Sequence, residues 1–201
     1  MPIKALPPET YRKFISSFVI TSPDVLVKEL VENSIDAGAT SIEVLVSANT
    51  VDRIQVRDNG SGISQDDFDV LGRRSHTSKL TSYSELICKG GTTFGFRGEA
   101  LASANTHGSV TITTRTKADK LASTISLVPK IGGVSLCKPT SGVFGTTVAV
   151  ARLFGNLPVR RQQFTKSASK TLAKIKETLL RILMVRPGLK IVFKCKTGIS
   201  Q

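Results

Sequence analysis

Apolar residues in the stretch DVLVKELVENSIDAGA (24–39) fall on most sides of a helix, and polar residues interrupt them along one line. Glu29, Asn33 and Asp36 stand at i, i+4 and i+7, so their side chains stack on one stripe. A carboxylate among apolar neighbours is costly unless it has a partner. The stripe is therefore predicted to face a ligand, a metal ion or water in a cleft.

Signals at both ends bound this helix. Ser22 supplies a capping hydroxyl, Pro23 suits the first turn, and Gly38 suits the position just after the last turn. Residues 9–20 form a short, weakly amphipathic segment, and other helices are predicted near 65–72, 99–105 and 166–185. The apolar face of the last one consists of Leu172, Ile175, Leu179, Ile182 and Leu183.

Period-two patterns predict the strands. SIEVLVS and DRIQVRD read as a hairpin joined by the turn at residues 48–50. Further strands are predicted near 109–116, 122–128, 145–151 and 189–195. Residues 73–98 show little periodicity and are rich in Gly, Ser and Thr, and a loop of that length is usually functional or mobile. Helices with an antiparallel-leaning sheet make a two-layer α/β sandwich the predicted fold class.

Composition narrows the class of protein. The 201 residues, 40% of them apolar, suit one domain with a full core. Cys88, Cys137 and Cys195 show no CxxC spacing, which argues against a zinc site or a disulfide framework and fits a reducing compartment. Neither a membrane-spanning apolar run nor a signal-peptide core is present, so we expect an intracellular protein without a membrane partner.

Charge is unevenly distributed along the chain. The net charge is +13, and residues 152–201 carry 12 Lys and Arg side chains against a single acid, Glu177. Such a block indicates a polyanion such as DNA, because basic side chains release counterions condensed on phosphates. The alternative is a solvated basic helix without a partner. The candidate DNA contacts are Arg160, Arg161, Lys166, Lys170, Lys174 and Arg181.

Two glycine-rich motifs carry candidate chemistry. In DNGSGI, Asp58 ends a strand, and Gly60 and Gly62 let a flat ligand approach the main chain, although a plain turn is the alternative. In FGFRGEAL, Gly95 and Gly98 precede a helix start, where free N–H groups make a phosphate cradle.

Hydroxyl groups flank these motifs. Thr77, Ser78 and Lys79 place two hydroxyls and a cation in the long loop. Gly145-Thr146-Thr147 begins an apolar strand and places a hydroxyl on or near the sheet surface. A hydrolase triad or a metal site built on His76 and His107 is a weaker alternative, and His107 is expected in a loop.

The motifs KELVENSIDAGA, VRDNGSGI, HTSK, FGFRGEAL and GTTV together resemble the ATP-binding motifs of the GHKL superfamily, and their wording is similar to the MutL mismatch-repair family. RLFGNLPVRRQQF also resembles the eukaryotic post-meiotic-segregation-type subunits. The resemblance covers residues 1–201 as one GHKL (Bergerat) ATPase domain. It implies a mobile ATP lid at about 73–98 and a basic C-terminal helix and strand at about 160–196.

The resemblance implies roles for individual residues. Glu29 would activate the water that attacks the γ-phosphate, and Asn33 would ligate Mg²⁺, which suits few protein oxygens together with phosphates and waters. Asp58 would bind the adenine amino group, with Gly62 making room for the ring and Thr147 completing the adenine contacts. The other implied ATP contacts are Asp36, Ala37, Gly60, Ile63, Thr77, Ser78, Lys79, Gly95, Phe96, Arg97, Gly98, Glu99, Ala100 and Leu101.

The implied function is a slow Mg²⁺-dependent ATPase whose nucleotide state switches a DNA clamp in mismatch repair. The implied partners are DNA and a second MutL-type subunit, and the implied location is the nucleus. Relatives take a phosphate-contacting lysine from a second domain that lies beyond residue 201, so we expect impaired turnover. The alternative is a non-hydrolysing, nucleotide-gated DNA-binding or scaffold subunit. The FRGEA wording disfavours a sensor-kinase or chaperone relative.

Overall fold

The computed structural model describes residues 10, 19–74, 76 and 99–196. Seven strands form one sheet: β1 Ser41–Ser47, β2 Arg53–Asp58, β3 Ser109–Arg115, β4 Ala122–Leu127, β5 Val134–Thr140, β6 Gly145–Ala151 and β7 Lys190–Lys196. The helices are α1 Pro23–Asp36, α2 Ala100–His107, α3 Pro158–Lys166 and α4 Ala168–Val185, with a 3₁₀ helix at Gln65–Val70. No helix in these described ranges is long and apolar enough to cross a membrane.

The strands lie in the order β5-β4-β3-β6-β2-β1-β7. Every neighbouring pair is antiparallel except β1 and β7, which run parallel. The predicted hairpin of β1 and β2 is confirmed, with Val44 opposite Val56. The predicted α/β sandwich is likewise confirmed.

Helices cover one face of the sheet. Helix α1 packs on β1 and β2, α2 packs on β3, and α4 packs on α1 and β7. Alternate strand residues such as Val44, Ile54 and Ile112 point into this layer and are fully buried, as the period of two requires. The remaining strand residues form the outer face. We define this face as the strand positions that pair in register with Glu43, Gln55, Thr113 and Thr147, together with every second residue from them along each strand.

Helix α1 begins and ends close to the predicted positions, but Ser22 does not cap it. The Ser22 hydroxyl makes no cap hydrogen bond, and its carbonyl accepts a bond from the Leu26 N–H at 3.2 Å. At the other end Gly38 has φ +74°, a left-handed conformation that glycine adopts without strain. Its N–H bonds Ile35 O at 2.9 Å and the Ala39 N–H bonds Ser34 O at 3.1 Å. The chain thereby turns directly into β1.

Three other elements differ from the prediction. Strand β5 was not predicted, because its residues are mostly exposed and VSLCKPT shows no apolar alternation. The helix expected near 166–185 is confirmed as α4, but α3 before it was not predicted; the two meet at Ser167, whose hydroxyl donates to Gln163 O at 2.9 Å. His107 is the last residue of α2 and 2% exposed, not a loop residue. The segment predicted near 9–20 and the loop at 73–98 lie mostly outside the described residues.

Candidate functional site

Asp58 stands at the end of β2 with its carboxylate 7% exposed and held by three elements. Oδ1 accepts hydrogen bonds from the N–H groups of Gly60 at 2.9 Å and Thr146 at 3.1 Å. Oδ2 accepts one from the Ser34 hydroxyl at 3.0 Å. Burial raises the pKa of the carboxyl above its ordinary value of 3.8, and the three donors offset part of that rise.

The loop after Asp58 is fastened to the end of α1. Asn59 Oδ1 accepts from the N–H groups of Thr40 and Ser41, each at 2.9 Å, and the Ser61 N–H bonds Ala37 O at 3.0 Å. A Cβ on Gly60 would lie 2.8 Å from Ala37 O. Glycine is therefore required where the loop passes the helix.

The same loop is fastened to β3 on its other side. A Cβ on Gly62, which has φ +77°, would lie 2.5 Å from Arg115 O. The Ile63 N–H donates to the hydroxyl of Thr114 at 2.9 Å, and that hydroxyl lies 3.2 Å from Thr146 Oγ1. Thr114 is 3% exposed, so one buried hydroxyl ties the loop to β3 and β6.

Ser34, Thr114 and Thr146 belong to the site, but the sequence prediction missed them. Ser34 occupies a buried phase of α1, one residue from the predicted stripe. Thr114 and Thr146 point inward from β3 and β6 and are 3% and 8% exposed. The sequence could have indicated them, because each is a polar residue at a position where the periodicity of its helix or strand predicts a buried apolar side chain.

The predicted stripe on α1 lies on the accessible side of the helix. Asn33 is exposed, while Glu29 and Asp36 are half-buried. Because Ser34 reaches Asp58 and Ala37 reaches Ser61, the C-terminal half of α1 borders the 58–62 loop. Asn33 therefore lies next to Ser34, the residue that holds the buried anchor, and Glu29 lies one turn earlier on the same stripe.

Oxygen donors on α1 fit one kind of metal ion. Magnesium prefers oxygen ligands and keeps waters and phosphates in its shell, so one or two protein oxygens are enough. Glu29, Asn33 and Asp36 supply such oxygens. Within the described ranges no group of three or more His, Cys, Asp or Glu residues could hold a metal by itself. The donor set fits a hydrated ion shared with a phosphate ligand.

The start of α2 holds another part of the predicted site. Arg74 Nη1 lies 2.6 Å from Glu99 Oε2. This ion pair connects the residue that precedes position 75 to the residue just before α2. Ala100 and Leu101 open the helix, and Leu101 lies beside Gly72. Seven predicted contacts lie outside the described residues: Thr77, Ser78, Lys79, Gly95, Phe96, Arg97 and Gly98.

The structure does not bring the Thr147 side chain to Asp58. Thr147 is paired with Arg57 and Thr113, which places it one residue out of phase with Asp58 and on the outer face. Thr146 points to the Asp58 side and donates its N–H there. The strand was predicted correctly, and of its two threonines it is Thr146, not the predicted Thr147, that lies on the Asp58 side.

Fewer of the six candidate DNA contacts carry an unpaired charge than the sequence predicted. Arg161 forms an ion pair with Asp52, and the Arg160 guanidinium lies over the Phe154 ring at 5.4 Å. Arg181 lies 2.6 Å from Glu177 one turn earlier on α4. Of the predicted DNA contacts, Lys166, Lys170 and Lys174 stay exposed on these two helices and have no acidic partner among the residues that the structure describes.

His107 packs inside the protein. Its ring lies 5.9 Å from that of Phe154, and Nδ1 is 3.2 Å from Asn156 Oδ1. The Asn156 amide also donates to Thr106 O at 3.1 Å. These contacts connect the end of α2 to the segment before α3, which is a structural role.

Comparison with known proteins places residues 20–130 in the family of histidine kinase-, DNA gyrase B- and HSP90-like ATPases. The chain is 44% identical to PMS1 protein homolog 1 of Homo sapiens, over 95% of this chain and 20% of that protein. It is 40% identical to DNA mismatch repair protein MutL of Herminiimonas arsenicoxydans, over 92% of this chain and 30% of that protein. The chain thus spans about a fifth to a third of the length of these relatives.

Two solved structures are similar in fold. The N-terminal domain of a DNA repair protein superimposes with a TM-score of 0.80 and 31% identity, over 95% of this chain and 54% of that one. The Aquifex aeolicus MutL ATPase domain complexed with ADP gives a TM-score of 0.67 and 27% identity, over 91% of this chain and 63% of that one.

The raised pKa of Asp58 predicts a pH dependence that Asp58→Asn removes. A raised folded-state pKa contributes stability that is complete below 3.8 and is lost as pH rises through the raised value. The wild type should therefore gain free energy of unfolding relative to Asp58→Asn as pH falls from about 7 to about 4 in urea titrations.

Asp119 supplies a control of opposite sign. Hydrogen bonds from the Thr116 hydroxyl and N–H lower the pKa of that carboxyl. Relative to Asp119→Asn the wild type should keep a constant stability from about pH 7 to about pH 5 and lose stability only as pH falls through 3.8 toward the lowered pKa. A constant difference between wild type and Asp58→Asn would contradict the assignment of Asp58 as a buried carboxylate.

Proposed function

The chain belongs to the family of histidine kinase-, DNA gyrase B- and HSP90-like ATPases and is homologous to the N-terminal ATPase domains of MutL- and PMS-type mismatch repair proteins, and we propose that it binds ATP at Asp58 and hydrolyses it with Mg²⁺. The observation that carries this proposal is the fixed, buried carboxylate of Asp58. Family membership supports ATPase activity in general, and the roles of the individual residues are part of this proposal.

Asp58 offers one acceptor position to a ligand. An ionised carboxylate has about four lone-pair positions. Gly60 and Thr146 use both positions on Oδ1, and Ser34 uses one on Oδ2. The remaining position on Oδ2 suits the amino group of adenine, which is a donor. Because the three protein donors fix the carboxylate in advance, an adenine ligand loses little freedom in ordering it.

Glycines beside Asp58 let the loop lie directly against α1 and β3. Gly60 and Gly62 already leave no room for a Cβ, because Ala37 and Arg115 lie against them. The loop thus has a thin, fixed edge next to the carboxylate, where an aromatic ring can lie without displacing side chains. We assign the adenine to this edge.

Helix α1 carries the groups proposed for the phosphate end. Asn33 and Asp36 would hold Mg²⁺ through their side-chain oxygens, and the ion, when bound, would neutralise phosphate charge. Glu29, one turn before Asn33, would accept a proton from a water molecule as the water oxygen attacks the γ-phosphorus. The bond from that phosphorus to the β-γ bridging oxygen then breaks, which leaves ADP and phosphate.

The names of the relatives support a role in DNA mismatch repair. We propose DNA and a second MutL-type subunit as partners, nuclear location, and a nucleotide-dependent clamp as the cellular role. Lys166, Lys170 and Lys174 on α3 and α4 would add phosphate contacts. The alternative is a subunit that binds nucleotide without hydrolysing it. In that case Asp58 binds adenine in the same way, but Glu29 does not act as a general base.

Mg-ATP and Mg-ADP should raise the melting temperature of the protein, because each binds the folded state only. Asp58→Asn replaces an acceptor with an amide donor and should abolish the shift, while Asp66→Asn on the exposed 3₁₀ helix should not. The measurement is differential scanning fluorimetry with each nucleotide. An undiminished shift in folded Asp58→Asn would refute the adenine assignment.

Glu29→Gln should retain Mg-ATP binding and lose hydrolysis, since a general base acts on water and not on the bound ground state. Asn33→Ala should weaken both. Single-turnover release of labelled phosphate, measured beside equilibrium binding, separates the two effects. Hydrolysis at the wild-type rate by Glu29→Gln would exclude the proposed base, and binding without any wild-type hydrolysis would favour the non-hydrolysing alternative.

Thr114→Val should weaken ADP binding about tenfold, because the buried Ile63 N–H loses its acceptor and the loop loses its attachment to β3. Thr114→Ser keeps the hydroxyl and should restore binding. Thr113→Val is the matched control on the same strand, since Thr113 points outward to Thr124. Equal ADP affinity in Thr114→Val and Thr113→Val, measured by calorimetry, would remove Thr114 from the site.

A further inference from the structure

The outer face of the sheet is polar and uncovered by any described helix. One ladder row crosses all seven strands and reads Lys138, Thr124, Thr113, Thr147, Arg57, Glu43 and Val192. Threonine hydroxyls occupy its middle, and those of Thr113 and Thr124 lie 3.0 Å apart. At about 4.8 Å per strand the row is about 29 Å wide.

Charge on this face is almost wholly positive. Among the outward-facing positions of the seven described strands the one acidic residue is Glu43, which Lys194 pairs with. Exposed cations stand at Arg53, Arg57, Lys138, Lys190, Lys194 and Lys196. This excess belongs to the sheet and is separate from the lysines on α3 and α4.

Two guanidinium groups at this face, those of Arg53 and Arg152, are held in place by neutral partners. Arg53 Nη2 donates to Gln55 Oε1 at 2.8 Å. Arg152, which follows β6, donates to Ser109 Oγ at 3.1 Å and so reaches the same face. A guanidinium bonded to an amide or a hydroxyl keeps its full charge, and each group has further N–H donors. These cations are positioned without being neutralised.

Small side chains make a shallow concavity in the middle of the face. Its volume is about 290 Å³, and Thr111, Thr113, Thr147 and Ala149 form its floor beside Arg53 and Gln55. Hydroxyls beside guanidinium groups are the donors that contact phosphate and sugar oxygens. None of the outward-facing residues of the described strands is aromatic, so the face has no platform on which unpaired bases could stack.

We propose that the outer face of the sheet binds the phosphate backbone of duplex DNA, as a surface distinct from the lysines of α3 and α4. The choice of DNA rests on the proposed role in mismatch repair, and the choice of a duplex rests on the polar, non-aromatic face. Binding there is independent of base sequence, because strands with short side chains reach phosphates and not base edges.

Charge neutralisation tests the surface. Arg53→Gln, Arg57→Gln and Lys138→Gln together remove three positive charges from the outer face. Lys166→Gln, Lys170→Gln and Lys174→Gln remove the same number from the helices and are the matched control. Duplex affinity is measured by fluorescence anisotropy over a salt series. The outer-face variant should bind at least about tenfold more weakly at low salt, and the slope of log K against log salt should fall by about 2.7.

Two further measurements locate the contact and check the fold. Duplex DNA should protect Lys138, Lys194 and Lys196 from acetylation, as read by mass spectrometry. The Mg-ATP melting shift should be the same in the outer-face variant as in wild type. Additive losses of log affinity in the combined six-residue variant would mean that the two surfaces act separately.

The inference would be overturned if the outer-face variant kept the duplex affinity and salt slope of the wild type, or if only the helix variant lost affinity. The outer face would then be a candidate surface for protein contacts. Tighter binding to a single strand of equal length would overturn the choice of duplex. If wild type binds no duplex at low salt, the proposed DNA role fails together with this inference. The Mg-ATP melting shift would then test the nucleotide proposal independently.

Discussion

The structure around the site depends on keeping one ionised carboxylate out of water. Asp58 is buried at the end of β2, and burial alone would disfavour its charge. Its donors come from α1, from the loop after β2 and from β6. Any shift of the helix relative to the sheet would leave a buried charge with fewer donors, which is strongly unfavourable. The carboxylate therefore fixes the distance between the two layers where they meet.

The hydroxyl of Thr114 extends this constraint to the loop. It accepts the Ile63 N–H and lies next to Thr146, whose own N–H bonds Asp58. Gly60 and Gly62 are confined between Ala37 on one side and Arg115 on the other. The binding edge is thus built from backbone held by buried side chains, so it is formed before any ligand arrives. Preformed donors and acceptors of this kind favour binding, because little ordering remains to be done.

Local patterns in the sequence predicted the elements whose burial alternates clearly. Helix α1 and the β1–β2 hairpin followed from period 3.6 and period 2, because one side of each is buried. Strand β5 was missed because an exposed edge strand needs no apolar side, and α3 was missed because PVRRQQFTK is mostly polar and has no buried residue. The stripe on α1 was predicted from helical spacing and Asp58 from its glycine-rich turn, and the resemblance supplied only the roles implied for them. Thr146 was not distinguished from Thr147, because only the ladder register decides which hydroxyl points inward.

The parallel pairing of β1 with β7 has a consequence for how the protein folds. Ile42 aligns with Ile191 and Val46 with Cys195, so the two strands meet only after nearly the whole described chain has been synthesised. Until then β1 is an edge strand with an open row of N–H and C=O groups, which can pair with another chain. Contacts this far apart in sequence close slowly. The nascent N-terminal part therefore presents a transient pairing edge, and destabilising β7 should promote aggregation through β1.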